Sequence, residues 1–383
     1  MLNRRIFRML TIIMLLFLSI CLLWWLTLRP SVDGILLQSL ITKNASFPII
    51  KPSITPRLIK TKLFVLVIVS SAPAGVSIER RHVIRNTWGN FDLYNGPRTW
   101  KVVFMSGRTG DEEKDKTLFS ESKKYGDILI CDYKDDYSKI TTKLLSSFQW
   151  AASVKDLYGF EYLLKTDDDI YISIPRLYQW IDTKGVTMNH VYAGNTYSNY
   201  VVREKNHRHY VSKEDLPYDI YPTFCKGSML LLSGSLIPKI VKLARKVKRI
   251  VPDDAYVGLL MNELNVKAVQ MKGLVQHSFL SYFLPLLGPC HFQNVIGMGD
   301  SLTTQQMFHL HKQMFFKIQD KSSWLCIQRW LKLLFATMFL FILYSLFLKS
   351  RFLSMCKAVC KLTKVLRVVP ARHWAKKKSN YNN

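Results

Sequence analysis

Residues 162–169 read YLLKTDDD, a short apolar run that carries one lysine and closes on three consecutive carboxylates. Such a run, bounded by a polar turn signal, reads as a buried strand. Alternate side chains of a strand share a face, so Asp167 and Asp169 point together while Asp168 points away. Toward the N-terminus the chain alternates short apolar runs with longer amphipathic ones. Residues 63–71 (LFVLVIVSS) form a continuous β-branched run suited to a strand buried on both faces, and 77–88 (SIERRHVIRNTW) follow with helical spacing. The cycle repeats: 99–107 (TWKVVFMSG) as strand, 111–125 as a charged helix, 127–131 (DILIC) as strand, and 138–155 as a helix with apolar positions every three or four residues. This alternation predicts an α/β fold, a Rossmann-like, mostly parallel sheet flanked by helices. Ligands of such sheets bind beyond the carboxyl ends of the strands, which is where the aspartate triplet falls.

Two carboxylates on one face suit a hard, oxygen-preferring ion such as Mn²⁺ or Mg²⁺ shared with substrate phosphates. The competing reading is a solvated acidic turn. A second acidic pair, Asp253-Asp254, follows Pro252 and opens an apolar stretch (YVGLLMNEL). It reads either as an ordinary helix start, with carboxylates accepting backbone N–H bonds, or as a catalytic carboxylate at a helix N-terminus. Arg81 and Arg85, four residues apart with Arg80 adjoining, share a helical face that suits phosphate and equally suits solvent.

With 383 residues, 49% hydrophobic and 21% charged, the chain is neither disordered nor a small disulfide scaffold. Lys and Arg number 54 against 27 Asp and Glu, a balance of +27 that ordinarily points to nucleic acid or an anionic membrane. The excess lies partly at the ends: residues 1–28 and 349–383 carry basic side chains and no acid. Residues 9–28 are uncharged, about 30 Å as a helix, enough to span a bilayer. Arg4, Arg5 and Arg8 before the run, against Arg29 directly after it, place residues 1–8 in the cytosol as a tail. Trp24-Trp25 resembles an interfacial belt rather than a signal-peptide cleavage site. Residues 29–60, with Pro48, Pro52, Pro56 and a sequon at Asn44-Ala45-Ser46, read as a stem, and 61–322 as the main domain. Residues 330–348 read as a second membrane segment or as a buried or interfacial helix, and 349–383 as a basic, membrane-linked tail. Of seven cysteines only Cys131, Cys225 and Cys290 fall well inside the middle segment, leaving room for one bridge and one thiol. No zinc spacing, phosphate-binding glycine loop or G-x-S-x-G elbow occurs.

Four blocks in order, R-H-V-I-R-N-T-W-G (81–89), K-T-D-D-D-I-Y (165–171), Y-P-T-F-C-K-G (221–227) and D-D-A-Y-V-G (253–258), resemble the signature blocks of the β-1,3-galactosyltransferase and β-1,3-N-acetylglucosaminyltransferase family. The family's R-x-x-I-R-x-T-W is met by Arg81, Ile84, Arg85, Thr87 and Trp88. The resemblance implies a GT-A fold, type II Golgi membrane anchoring, an inverting mechanism, a UDP-sugar donor, a glycan acceptor on protein or lipid, and Mn²⁺ (or Mg²⁺). Asp167 and Asp169 match the outer acids of the family's metal-holding D-x-D. Arg81, Arg85, Asp168 and Asp253 then belong to the donor side, and Asp254 is the candidate general base. Asp253 stands where the family has Glu, and Phe224 where it usually has Tyr. The family's further metal-contacting His aligns with Asp300, which is taken as the third ligand. The expected function is galactose transfer from UDP-galactose to an acceptor 3-OH. N-acetylglucosamine or N-acetylgalactosamine transfer and a catalytically silent, nucleotide-sugar-binding partner are the alternatives. A homo- or hetero-oligomer is left open, and lumenal placement removes nucleic acid as a partner.

Overall fold

The computed structural model describes residues 40–42, 46–57, 62–94, 96–276 and 289–314, with isolated positions 19, 284 and 338. The expected anchor at 9–28, most of the stem with Asn44 of its sequon, the 330–348 segment and the basic tail lie outside the described residues. Among those described, no helix is long and apolar enough to cross a membrane.

The strands and helices named by periodicity form within a residue or two of their expected bounds, except the strand expected at 127–131, which continues to Lys134. Strands β1 (Val65–Ser70), β2 (Trp100–Arg108), β3 (Ile128–Lys134) and β4 (Tyr162–Asp167) alternate with helices α1 (Val76–Asn86), α2 (Glu112–Tyr125), α3 (Ile140–Ser153) and the single turn α4 (Lys155–Tyr158). Helix α2 starts where the Asp111 carboxylate accepts from the Glu113 and Lys114 amides and stops at Gly126, whose φ of 66° ends the helix in the left-handed region. Beyond β4 come β5 (Ile170–Ile172), α5 (Ile174–Thr183), β6 (Tyr192–Tyr197), β7 (Phe224–Ser233), α6 (Leu236–Ala244), α7 (Asp253–Glu263), β8 (Val269–Gln270), β9 (Leu274–Val275), β10 (Gly297–Gly299) and α8 (Thr304–Met314).

The main sheet has seven strands in the order β3-β2-β1-β4-β7-β6-β8. Pairs β3·β2, β2·β1, β1·β4 and β6·β8 are parallel, as expected of a mostly parallel sheet. The reversal is β7, which runs antiparallel to both β4 and β6. A three-stranded sheet, β5-β10-β9, stands apart and returns residues 297–299 against the chain just after the triplet. Alternation along β1 divides the core. Leu66 and Ile68 face one apolar cluster with residues of α3, α6 and α7, and Val65, Val67 and Val69 face another with residues of α1, α5 and α8. All five are fully buried, each side chain worth about 1.5–3 kcal/mol, which is why the run carries no polar residue.

Candidate active site

Strand β1 ends at Ser70 and β4 at Asp167, directly opposite each other in register. The triplet therefore leaves the sheet at the carboxyl edge of its central parallel strands. Asp168 turns inward and is buried; its carboxylate accepts from Ser71 Oγ at 2.8 Å and from Arg80 Nη1 at 3.2 Å. Asp167 and Asp169 remain half-exposed on the other side. The returning turn after β10 closes over Asp169, whose Oδ2 accepts from the Ser301 amide at 3.0 Å. Asp300 and Ser301 hold φ of 118° and 74°, a conformation costly for residues with a Cβ, so this turn is strained where it meets the triplet.

Lys165 lies on β4 with its ammonium buried beneath the acids. Its Nζ donates to Asp167 Oδ1 at 3.0 Å and to the Gly227 carbonyl, and pairs with Asp253 Oδ2 at 3.4 Å. A lysine inside an apolar strand signals that counter-charges must be near, and sequence reasoning passed over it. Asp253 and Asp254 form the first turn of α7 after Pro252, so the helix-start reading and the catalytic reading are both compatible with their position. Asp253 is buried, and its Oδ2 makes no hydrogen bond among the described residues. Asp254 is more open, accepting from the Gly227 amide at 3.1 Å and the Ala255 amide at 2.8 Å.

Two glycines let these pieces meet. A Cβ on Gly227 would lie 3.2 Å from Asp254 Cβ and 3.3 Å from Lys165 Nζ, and one on Gly258 would lie 2.4 Å from Phe224 Cβ. Helix α7 thus packs backbone-close on β7, and the Phe224 ring fills the place beside it.

Burial is the largest cause of the raised Asp254 pKa, with the Asp253 charge adding to it and the Gly227 and Ala255 N–H bonds opposing it. Desolvation likewise raises Asp167, opposed by Lys165 and reinforced by Asp253 and Asp169. Asp169 is raised by desolvation and lowered by Arg80. Two half-exposed carboxylates whose negative charge is disfavoured are a donor set that a hard cation relieves, so Asp167 and Asp169 fit Mn²⁺ or Mg²⁺. Among the described residues no group of three or more candidate ligands is assembled. Asp300, expected as the third, instead pairs with Lys226 at 2.7 Å.

The two arginines expected at the donor are committed elsewhere. Arg81 is fully buried and forms a two-pronged pair with Glu121 (2.9 and 2.6 Å), while its Nη1 donates to Ser71 Oγ (2.8 Å) and the Ala72 carbonyl (2.6 Å). Arg85 is two-pronged on Asp127 (2.7 and 2.8 Å) and also meets Glu121 at 2.8 Å. Helical spacing shows which face they share and not which acids, some forty residues away, await them. Arg81 reaches the triplet only through Ser71, and Arg80 is the guanidinium that touches it. Cys131 and Cys225 are both free, buried thiols, so neither supplies the one bridge allowed by the cysteine count; the Cys290 side chain lies outside the described ones.

The family profile described as Galactosyltransferase matches residues 79–272, just over half of the chain. The rat UDP-GalNAc:beta-1,3-N-acetylgalactosaminyltransferase 1 is 31% identical over 211 residues, 53% of this chain and 61% of that protein. Human beta-1,3-galactosyltransferase 5 is 27% identical over 212 residues, 55% and 67% of the two chains. The chain thus spans about three fifths of the length of the first of these relatives. A solved galactosyltransferase, LgtC, overlaps 65% of this chain and 96% of its own at a TM-score of 0.33 and 8% identity. The matched segment holds the triplet, its buried lysine, both glycine contacts and the Asp253-Asp254 helix start, and on that match the chain belongs to the galactosyltransferase family.

Proposed function

We propose that the chain is an inverting β-1,3-glycosyltransferase of GT-A type that transfers galactose from UDP-galactose to the 3-OH of an acceptor sugar on a glycoprotein or glycolipid. The observation that carries the reading is the placement of Asp254, a partly open carboxylate with raised pKa held by the Gly227 and Ala255 amides, next to Asp253, which Lys165 joins to the Asp167 side of the triplet. The relatives' names support both galactose and N-acetylgalactosamine as the transferred sugar, and the second is retained as the alternative donor.

In the proposed reaction Asp254 accepts the acceptor 3-OH proton. The acceptor oxygen bonds to C1 of the donor sugar as the C1–O bond to UDP breaks, in one displacement that inverts the anomeric carbon. The Gly227 and Ala255 amides hold the base in place, so little reorganisation is needed as it takes the proton. Asp253, paired with Lys165 beside the base, stands on the donor side, and the one-carbon shortening from Glu sets how far its carboxylate reaches. Asp168 and Arg80 hold the triplet turn, while Arg81 and Arg85 secure the donor wall through Ser71 and Glu121. Mn²⁺ or Mg²⁺ on Asp167 and Asp169 would neutralise charge on the leaving diphosphate, with Asp300 joining if it exchanges Lys226 for the ion. Type II anchoring of residues 9–28 in the Golgi membrane completes the proposal, supported by the arginines that precede that apolar run.

The test is transfer from a panel of UDP-sugars to β-galactoside, β-glucosaminide and galactosaminide acceptors with Mn²⁺ and with chelator. Chelator-sensitive transfer from one donor to a 3-OH supports the proposal. Failure to bind any UDP-sugar contradicts it.

A further inference from the structure

Close in the fold to the start of α7 stands a cluster that the proposed reaction does not use. Tyr137 begins a 3₁₀ turn (Tyr137–Lys139) between β3 and α3. Just beyond it, the Thr141 hydroxyl is shared between the Ile250 and Val251 carbonyls, 2.7 Å from each and only two residues before the acidic pair. Lys143 pairs with Asp135 at 2.9 Å and reaches the Ser71 carbonyl at 3.4 Å. The Tyr137 turn is therefore pinned between the carboxyl edge of the sheet and the start of α7.

Against it stands the 198–223 connector between β6 and β7. His209 Nδ1 lies 3.1 Å from Tyr137 Oη with the rings edge to face at 5.5 Å, and the Arg208 guanidinium sits 5.0 Å from the Tyr137 ring centroid. The connector is built to hold these groups out. Arg203 donates from behind to the carbonyls of Val211, Ser212, Leu216 and Tyr218, and Val201, Val211 and Leu216 are buried beneath. Tyr137 nevertheless keeps 38% of its surface exposed. The cluster is also within electrostatic reach of the acids. Burial lowers the His209 pKa, with Arg208 and His207 lowering it further and Asp253 opposing; Tyr137, raised mainly by burial, is raised further by Asp253 and Asp254.

We propose that Tyr137, Arg208 and His209 form the platform that holds the acceptor hexose against Asp254, an inference that rests on the transferase reading above. A pyranose presents an apolar C–H face and a rim of hydroxyls. An amphipathic aromatic ring flanked by guanidinium and imidazole groups answers both, where a bare cation cluster would answer only an anion. The diphosphate has its own place at Asp167 and Asp169, on the Lys165 side of the acids.

The test uses the full chain with UDP-galactose and benzyl β-galactoside or benzyl β-N-acetylglucosaminide. Tyr137→Ala and His209→Ala are each expected to raise the acceptor KM about tenfold while donor KM stays within about twofold, and Tyr137→Phe, which keeps the ring, is expected to recover most of the loss. An unchanged acceptor KM overturns the proposal, as does a rise confined to donor KM, which would place the nucleotide on the platform. If the unaltered chain transfers from no UDP-sugar, the transferase reading fails, and saturation-transfer NMR with benzyl β-galactoside decides the platform separately. A signal lost in Tyr137→Ala supports it, and no signal, or one unaffected by the substitution, overturns it.

Discussion

Replacing Lys165 by methionine removes the buried cation that joins the two acidic centres while keeping an unbranched side chain one atom shorter. The ammonium is 1% exposed and stands between Asp167, 36% exposed, and Asp253, 9% exposed. Removing one partner of a buried ion pair costs about 3–5 kcal/mol, because the partner charge stays desolvated. Asp167 can regain water and Asp253 cannot, so the lower end applies, about 3 kcal/mol, or roughly 6–12 °C in Tm for a domain of this size. The sign with pH follows from Asp167. Its folded pKa is already above the ordinary value, and Lys165 is the largest influence holding it down. Without Lys165 it rises further, so the folded variant binds a proton at a pH where the unfolded chain does not. The deficit relative to the unaltered chain is then largest near pH 7.5 and shrinks toward pH 5. Chemical denaturation of both chains in the same detergent across that range is the assay. A loss under about 1 kcal/mol, or a deficit that grows on acidification, would refute the reasoning.

Arg81→Lys is expected to lower stability by about 3 kcal/mol, since a lysine cannot reproduce the two-pronged pair with Glu121 and the bond to Ser71; thermal unfolding checks this. Gly258→Ala brings a Cβ to 2.4 Å from Phe224 Cβ and is expected to cost about 1–3 kcal/mol. Because alanine at 224 keeps the Cβ that is met, part of that should return with Gly258→Ala/Phe224→Gly and little with Gly258→Ala/Phe224→Ala, as double-mutant cycles by denaturation would show. His311 is buried against the Tyr171 hydroxyl at 3.0 Å, and burial lowers its pKa to about 4. Its neutral form is favoured in the fold, so its contribution is present above pH 6.5 and is lost as pH falls toward 4, by at most about 3 kcal/mol. His311→Gln should flatten the stability profile over that window in matched denaturation curves.

The local periods of the chain carried much of the architecture. The unbroken β-branched run at 63–71 could only be buried on both faces, and Asp111 and Gly126 bracket α2 as caps do. Position β7 was not legible, because its antiparallel insertion between β4 and β6 is a pairing over long sequence separation that no local pattern records. The same holds for the small sheet that carries 297–301 back to Asp169. At the site, alternation placed Asp168 apart from Asp167 and Asp169, since a strand's end fixes which face each takes. Arg81 and Arg85 looked free because their counter-charges, Glu121 and Asp127, lie on α2 and just beyond it. Lys165 was overlooked inside its motif, although a lone lysine in an apolar strand must find acids when buried. Tyr137 and His209 stood in no pattern at all and meet only through tertiary packing.

The central claim is that Asp254 takes the acceptor proton in an inverting transfer. The most direct measurement is turnover and product stereochemistry of Asp254→Asn beside the unaltered chain, with UDP-sugar binding measured in both. Expected is a β-linked product from the unaltered chain, a loss in kcat of about 10²–10⁴-fold in Asp254→Asn, and donor affinity preserved. Turnover in Asp254→Asn within about tenfold of the unaltered chain, or an α-linked product, would contradict the account.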